Sequence, residues 1–320
     1  MKEQNTIDFN EKVIIKKLTR KHAIDLMSDS ILVTSGVLNQ TVKYKMMQTI
    51  KLLPQSTKLV AYHTKEKRAI GFLCLEKNTD WLYSIKYVFV DSKCRKSGIA
   101  TGLLNYAMIL AKEKGAGKVN LNVDLTSPHL INLYKKFGFT EIGNTLLAQE
   151  SRSGLTVFRT IKSTILGLSY LTKHTPAKEC QFHKLQTNSR KNQEILFNIY
   201  QSCVDQKWME FFEINAKNVL NGSRHVWQPP FFREVIINES ANSFALIFHQ
   251  PLFSKATVEL YSTSNTVFPS ILDSLMKILS NKGINFIQIT LFNLTNNTAV
   301  NWFKEKRMMT FQFAAMGRTL

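Results

Sequence analysis

A basic, glycine-containing loop is the segment of this sequence with the clearest capacity for chemistry. The loop and the residues after it read DSKCRKSGIA. Backbone N–H groups at a helix N-terminus, together with the helix dipole, attract anions. Gly98 and Ala100 are small enough for an anion to approach the backbone. Lys93, Arg95 and Lys96 add positive charge. The spacing predicts a phosphate-type site, although it is neither a Walker loop nor a Rossmann fingerprint.

The elements around this loop are predicted from hydrophobic periodicity. A β-rich run, Trp81–Val90, precedes it, and an amphipathic helix, Gly98–Gly115, follows it. An alternating strand, Val119–Leu125, and a short helix, Pro128–Phe137, come next. Two strands separated by a helix imply a parallel pair with a right-handed crossover. The earlier runs are joined by short connections and predict antiparallel strands, so we expect a mixed sheet flanked by helices.

Together with a second motif, the loop resembles the GCN5-related N-acetyltransferase (GNAT) superfamily. Arg95–Ala100 matches the R/Q-x-x-G-x-G/A loop of that family, and Leu133–Phe139 matches its L-Y-x-x-x-G-F segment. The resemblance covers about residues 13–160. It implies an acyltransferase (EC 2.3.1.-) that moves the acetyl group of acetyl-CoA to a primary amine of a small molecule or a protein, by direct attack.

The resemblance also implies roles for individual residues. The strand Val88–Val90 would hold the acetyl and pantetheine groups, and the backbone of the loop would cradle the pyrophosphate. Ser127 stands where many members have a cofactor-facing asparagine, and Tyr134 matches the general acid that protonates the departing thiolate. The implied acetyl-CoA-binding residues are Val88, Phe89, Val90, Arg95, Lys96, Ser97, Gly98, Ile99, Ala100, Thr101 and Ser127. No metal is implied, and the four cysteines do not have zinc-site spacing.

The sequence does not identify a general base. The strand before the loop contains no obvious candidate. Three carboxylates near predicted strand ends, Glu76, Asp80 and Asp124, are interpreted as solvated turn or edge residues. Ordered water is an alternative proton acceptor.

The second half of the chain repeats the order of the first. KEKG at 112–115 and SNKG at 280–283 each precede an alternating strand and a short helix. We therefore predict an α/β chain of two GNAT-like domains. Each has a mixed, mostly antiparallel sheet with a central parallel pair and flanking helices. The active, acetyl-CoA-binding copy is predicted over residues 1–165 and a degenerate copy over 177–320, with a junction near 163–178.

The predicted second copy lacks the residues that carry the resemblance. No Arg-x-x-Gly-x-Gly loop follows its strand Thr257–Tyr261, and Trp302 or Phe303 stands at the position of Tyr134. Neither side chain has a phenolic hydroxyl, so we predict that this copy is catalytically silent. Two helices are predicted between its first strand and the rest of its sheet, over Gln193–Val204 and Glu213–Leu220.

Composition leaves further possibilities open. With 44% hydrophobic and 20% charged residues, the chain is not wholly disordered. No apolar run approaches the ~20 residues of a membrane span. The polar first residues contain no apolar signal region, so we expect a cytoplasmic protein, a monomer or a homodimer. The net charge of +19 indicates an anionic partner. Two alternatives remain: a non-catalytic, acyl-CoA-binding regulatory module, or a basic protein associated with nucleic acid.

Overall fold

The chain forms two compact units in a computed structural model. The first unit comprises Met1–Asn122 together with Gly317–Leu320, and the second comprises Val123–Met316. The structure describes residues 6–10, 13–18, 56–150, 181–187, 189–222, 233–238, 240, 242–250, 255–263, 268–284, 286–292, 297–306 and 308–320.

The described residues of the first unit form a mixed sheet and a long helix. Its strands lie in the order β1-β2-β3-β4-β5-β6. Every neighbouring pair is antiparallel except β5 and β6, which are parallel. Its elements are β1 (Thr6–Asn10), β2 (Val13–Lys17), β3 (Ser56–His63), β4 (Arg68–Lys77), β5 (Leu82–Val90), α1 (Ile99–Glu113) and β6 (Lys118–Asp124), the end of which passes into the second unit.

Close packing holds α1 against one face of this sheet. A Cβ atom added to Gly71 of β4 would lie 2.9 Å from Cγ2 of Ile99 and 3.1 Å from Cδ1 of Leu103. Only glycine allows the helix to approach β4 this closely. The predicted apolar face of the helix is confirmed, because Leu103, Leu104, Ala107, Leu110 and Ala111 are all buried.

The second unit has a sheet of the same kind. Its strand order is β13-β7-β12-β11-β10-β9-β8. β11 and β12 are parallel, whereas β7–β12, β10–β11, β9–β10 and β8–β9 are antiparallel. Its elements are α2 (Pro128–Lys136), β7 (Thr140–Glu150), β8 (His183–Lys184), α3 (Arg190–Cys203), α4 (Gln206–Phe212), α5 (Val219–Gly222), β9 (Arg233–Asn238), β10 (Ser243–Gln250), β11 (Lys255–Ser262), α6 (Phe268–Asn281), β12 (Phe286–Phe292), α7 (Asn297–Glu305) and β13 (Met308–Thr319).

The predicted fold class is confirmed, since the described strands of each unit form a mostly antiparallel sheet with a parallel pair, and helices accompany both sheets. The glycine pair that suggested the repeat also behaves alike in the two units. Gly115 and Gly283 have φ values of +80° and +69° and follow α1 and α6. At both positions the left-handed backbone ends the helix before a parallel strand.

Two local predictions differ from the structure. The helix predicted over Glu213–Leu220 is wrong. The helix α4 lies just before it, because the Asp205 side chain accepts a bond from Lys207 N–H at 2.8 Å, and Glu213 ends it with φ 54°. The sequence did not predict β13. The predicted domain junction near 163–178 lies outside the described residues.

Candidate functional site

The parallel strands β5 and β6 separate after a short paired stretch. They pair at three positions only, from Leu82↔Lys118 to Ser84↔Asn120. On its other side β5 stays paired with β4 as far as Val90. Beyond Ser84, the β6-facing edge of β5 therefore has no ladder partner among the described strands. An edge of this kind can accept an extended ligand as if it were an added strand.

A β-bulge lies in β5 where the two strands have separated. Between the pairs Phe72↔Phe89 and Cys74↔Lys86, β4 advances by two residues and β5 by three. Tyr87, within this bulge, has φ 53° and is 49% exposed. A left-handed backbone is uncommon for a bulky residue, and such strain concentrates at functional sites. The sequence contains no glycine at this point, so the bulge was not predicted.

The loop after β5 folds around a buried aspartate. Asp91 is 3% exposed, and its Oδ1 accepts a hydrogen bond from Lys93 N–H at 2.9 Å. The carbonyl oxygen of Asp91 accepts from Cys94 N–H at 2.9 Å. Arg95 Nε donates to the Val90 carbonyl at 3.3 Å, which ties the loop back to the end of β5. These bonds place the loop at the start of α1.

The N-terminus of α1 is open to solvent and surrounded by cations. Gly98 has φ 81° and precedes the helix, whose first backbone bond runs from Gly102 N–H to the Gly98 carbonyl at 2.9 Å. The N–H groups before Gly102 therefore have no carbonyl within the helix. The side chains of Lys93, Arg95 and Lys96 are exposed around them. This arrangement fits a phosphate-bearing ligand.

The L-Y-x-x-x-G-F segment forms the end of α2 in the second unit. Gly138 has φ 78°, and Phe139 N–H donates to the Tyr134 carbonyl at 3.1 Å. The chain thereby turns back, and the rings of Phe139 and Tyr134 meet edge to face with centroids 6.1 Å apart. Tyr134 is 6% exposed, and this burial raises its pKa to about 12.

Ser127 stands at the N-cap position of α2. Its side chain makes no capping hydrogen bond, although the Ser127 carbonyl accepts from Leu130 N–H at 3.0 Å. The side chain is partly exposed. A hydroxyl that is not used as a cap remains available for another contact.

The three carboxylates interpreted as solvated residues have different environments. Asp80 is exposed and lies 2.7 Å from Lys77 Nζ. Asp124 accepts bonds from the N–H and the hydroxyl of Thr126 at 2.8 and 2.7 Å, as in a turn. The interpretation of Glu76 is wrong, because it lies within β4 and is only 3% exposed. Burial raises the pKa of Glu76, and nearby Lys86 partly offsets that rise.

The second unit does not repeat the opening between its parallel strands. β11 and β12 pair at six positions, from Lys255↔Phe286 to Leu260↔Leu291. The β10–β11 register continues without interruption, so β11 has no bulge. When the first parallel pairs of the two units are aligned, Glu259 takes the place of Lys86. The edge available in the first unit is therefore occupied by a strand in the second.

Aromatic side chains fill the sheet face around Glu259. Tyr261 stacks between Phe244 and Phe292, with ring centroids 4.6 and 4.8 Å away. Its hydroxyl donates to Glu259 Oε2 at 3.0 Å. The ring of Tyr200 from α3 lies 4.9 Å from that of Tyr261. This face is thus a closed core rather than a cleft.

The predicted cofactor residues fall into two groups. Val88–Val90 and Arg95–Thr101 occupy consecutive elements of the first unit, at its open strand edge and helix N-terminus. Ser127 and Tyr134 belong to the second unit, where Ser127 directly precedes α2 and Tyr134 lies in the last turn of that helix. In the described part of the chain, no three His, Cys, Asp or Glu side chains cluster as a metal site, and no helix is long and apolar enough to cross a membrane.

Comparison with known proteins shows what this region is similar to. The sequence model of the acetyltransferase (GNAT) family matches residues 30–139. No curated protein matches the chain in sequence. A GCN5-related N-acetyltransferase from Sphaerobacter thermophilus is 9% identical, with a TM-score of 0.57 over 97% of this chain and 96% of that one. A candidate acetyltransferase from Pyrococcus horikoshii is 14% identical, with a TM-score of 0.50 over 98% of this chain and 91% of that one. A tandem GNAT protein of the clavulanic acid biosynthesis pathway is 10% identical, with a TM-score of 0.47 over 96% and 98%. Residues 30–139 therefore match the sequence pattern of the GNAT acetyltransferases, as the motifs predicted, and the first two of these structures share the fold.

Proposed function

From the GNAT match of residues 30–139, we propose that the chain is an N-acetyltransferase (EC 2.3.1.-) that transfers the acetyl group of acetyl-CoA to a primary amine of a small molecule or a protein. The observation that carries the proposal is the opening between β5 and β6, next to a bulge and to an exposed helix N-terminus. When bound, acetyl-CoA supplies the activated acetyl group as a thioester. The residues of the chain bind it, orient it and transfer the protons.

Val88, Phe89 and Val90 are proposed to hold the pantetheine arm. Their strand has a β6-facing edge without a ladder partner, and an amide-containing arm can pair with such an edge as an extra strand. The bulge at Tyr87 changes the direction of the backbone N–H groups at this edge. An N–H of this segment can then stabilise negative charge on the thioester oxygen during transfer.

The loop and the first turn of α1 are proposed to bind the pyrophosphate. The contributing residues are Arg95, Lys96, Ser97, Gly98, Ile99, Ala100 and Thr101. Their backbone N–H groups supply the donors, and the exposed cations add long-range attraction. These few charges account for only part of the net charge of +19.

Tyr134 is proposed to assist departure of the CoA thiolate. With a pKa of about 12, it is fully protonated at neutral pH and can donate a hydrogen bond. It is a weaker acid than a thiol, whose usual pKa is about 8.5. We therefore propose that its proton moves only in concert with breaking of the carbon–sulfur bond. Ser127 is proposed to contribute a hydroxyl toward the cofactor.

We propose that the chain consists of an active domain over residues 1–165 and a degenerate second copy over residues 177–320. The continuous β11–β12 pairing and the aromatic core around Glu259 support a silent second copy. A reducing, cytoplasmic setting is proposed because the buried thiols of Cys74 and Cys203 form no disulfide. The chain is proposed to be a monomer or a homodimer.

Two measurements on the purified chain test the proposed function. Calorimetry with acetyl-CoA should detect binding, and a CoA-release assay over amines, amino acids, aminoglycosides, polyamines and peptides should identify an acceptor. Binding without release from any acceptor would support the regulatory-module alternative. Absence of acetyl-CoA binding contradicts the proposal, and salt-sensitive binding to DNA or RNA would then support a nucleic-acid partner.

A further inference from the structure

A row of polar side chains crosses the first unit on the sheet face opposite α1. Gly71 faces the helix, so Cys74 and Glu76, at odd-numbered separations from it along β4, face the other way. Cys74 pairs with Lys58 of β3 and with Lys86 of β5. The Cys74 thiol therefore lies between the two lysines. Glu76 is the next residue along β4 that faces the same way.

The row continues through Glu76 to the parallel strand. Glu76 pairs with Ser56 on one side and Ser84 on the other. The Ser84 hydroxyl donates to Asn120 Oδ1 at 2.6 Å and accepts from Asn78 Nδ2 at 2.6 Å. Ser84 and Asn120 form the last pair before β5 and β6 separate. The buried polar row thus ends where the strand edge opens.

Glu76 is the member of this row whose hydrogen bonding is incomplete. Its side chain is 4% exposed, and Lys86 Nζ lies 4.0 Å from Oε2. The other oxygen, Oε1, accepts no hydrogen bond from any residue that the structure describes. A buried carboxylate oxygen without a donor destabilises a fold. Such a group is explained if a ligand supplies the missing donor.

The lysine beside Glu76 extends to solvent. The Lys86 side chain is 27% exposed, and the next residue, Tyr87, is 49% exposed at the bulge. Lys86 follows Ser84 on the same face of β5, just past the point of separation. Glu76 therefore lies beside a side chain that extends to solvent and close to the point where the edge of β5 opens.

We propose that Glu76 binds the acceptor as an alkylammonium ion at this opening and removes its proton. This inference rests on the proposed acetyltransferase function. The ammonium N–H supplies the donor that Oε1 lacks, and its proton moves to the carboxylate. The resulting neutral amine forms a C–N bond with the acetyl carbonyl carbon, the C–S bond breaks, and the thiolate takes a proton from Tyr134, the proposed donor. The nitrogen gives up its second proton, which restores the Tyr134 hydroxyl, and the proton on Glu76 leaves to solvent, so that each turnover releases one proton. The acceptor is thus an amine that is protonated at neutral pH.

The environment of Glu76 suits a proton acceptor. Burial raises its pKa from the ordinary 4.5, and the facing charge of Lys86 lowers it in part. The other groups of the row facing this region are Lys58, whose pKa burial lowers, and Cys74, whose pKa burial raises. A carboxylate with a raised pKa is a stronger base than an exposed one.

The test compares Glu76→Gln with Asp80→Asn, a matched change at an exposed carboxylate paired with Lys77. With an alkylamine acceptor at pH 7, Glu76→Gln should lower kcat/KM at least 100-fold, and the loss should shrink as pH rises and the amine deprotonates. With a weakly basic acceptor that is already neutral, such as an arylamine or a hydrazine, the loss should be under tenfold. Asp80→Asn should stay within twofold of the unchanged chain.

Two further measurements on Glu76→Gln distinguish a catalytic role of Glu76 from a structural one. Acetyl-CoA affinity of Glu76→Gln should stay within twofold, and its Tm should be equal or higher. A carboxyl whose folded pKa is raised stabilises the fold only while protonated, and this contribution is lost as pH rises through the folded pKa. The neutral amide thus removes the cost of ionising a buried carboxyl. If Glu76→Gln does not fold, Lys86→Met tests the proposal instead. Loss of the Lys86 charge raises the pKa of Glu76 further, so the acidic limb of kcat/KM should move to higher pH.

The outcomes distinguish this proposal from the function it rests on. Equal losses with protonated and neutral acceptors, or an acidic limb unchanged in Lys86→Met, overturn the role of Glu76 and leave the acetyltransferase proposal intact. An unchanged chain that fails to bind acetyl-CoA overturns the proposed function instead.

Discussion

Gly98 and Gly115 lie at the two ends of α1 with nearly the same left-handed backbone, φ 81° and φ 80°. Alanine at either position should cost about 1 kcal/mol of unfolding free energy. We expect Gly98→Ala to lower acetyl-CoA affinity at least tenfold as well, because the new methyl group and a shifted backbone disturb the anion-facing N–H groups. Calorimetry and urea unfolding measure the two effects.

Gly115→Ala is the matched control, since a Cβ atom there meets nothing within 4 Å. It should lose stability but keep its acetyl-CoA affinity within twofold. Equal affinities in the two variants would show that the N-terminus of α1 is not the phosphate site.

The phenol of Tyr134 gives a prediction about pH. A hydrogen-bond donor acts while protonated, so a pKa of about 12 keeps Tyr134 active at all pH values below that. We expect Tyr134→Phe to lower kcat by at least tenfold with little change in KM for acetyl-CoA. The unchanged enzyme should show no alkaline limb from this group below about pH 11. A limb near pH 9 that disappears in Tyr134→Phe contradicts this assignment.

At the scale of elements, the pairing of the parallel strands distinguishes the units. β5 and β6 pair at three positions and then separate, whereas β11 and β12 pair at six. Because a bound pantetheine arm needs an unpaired edge, we predict one acetyl-CoA per chain. Calorimetry gives the stoichiometry directly, and two equivalents would contradict a closed second copy. Gly98→Ala should weaken the single binding event rather than one of two.

The motifs predicted the loop and the helices of the site, because glycine positions and apolar spacing act within a few residues. They did not predict the bulge at Tyr87 or the burial of Glu76. Both depend on how β5 and β4 pair, and their register is decided by residues distant in sequence. The two carboxylates Glu76 and Asp80, four residues apart, consequently differ completely in exposure.

At the scale of the whole molecule, the first unit includes residues from the far end of the sequence. Leu320 N–H donates to the Gly117 carbonyl at 2.9 Å, and Gly117 N–H donates to the Trp81 carbonyl at 2.8 Å. Residues 317–320 therefore contact the unit where β5 and β6 begin. Deleting them should lower Tm by several degrees and weaken acetyl-CoA binding, because the paired start of the two strands loses a hydrogen bond and packing.

Thr319→Ala provides the control for that deletion. The Thr319 side chain is exposed, and the substitution leaves the Leu320 N–H in place. It should keep Tm within about 1 °C and binding within twofold, as expected for an exposed surface change. If deletion of residues 317–320 is equally silent, these residues do not support the binding strands.

The sequence alone determined the local features of this protein: the order of most strands and helices, the glycines that end α1 and α6, and the motifs of the family. Each depends on neighbouring residues, through periodicity, capping or backbone freedom. Only the tertiary structure decided where β5 and β6 separate, which carboxylate is buried, and that residues 317–320 join the first unit. These features depend on hydrogen bonds and burial between segments that are distant in the chain.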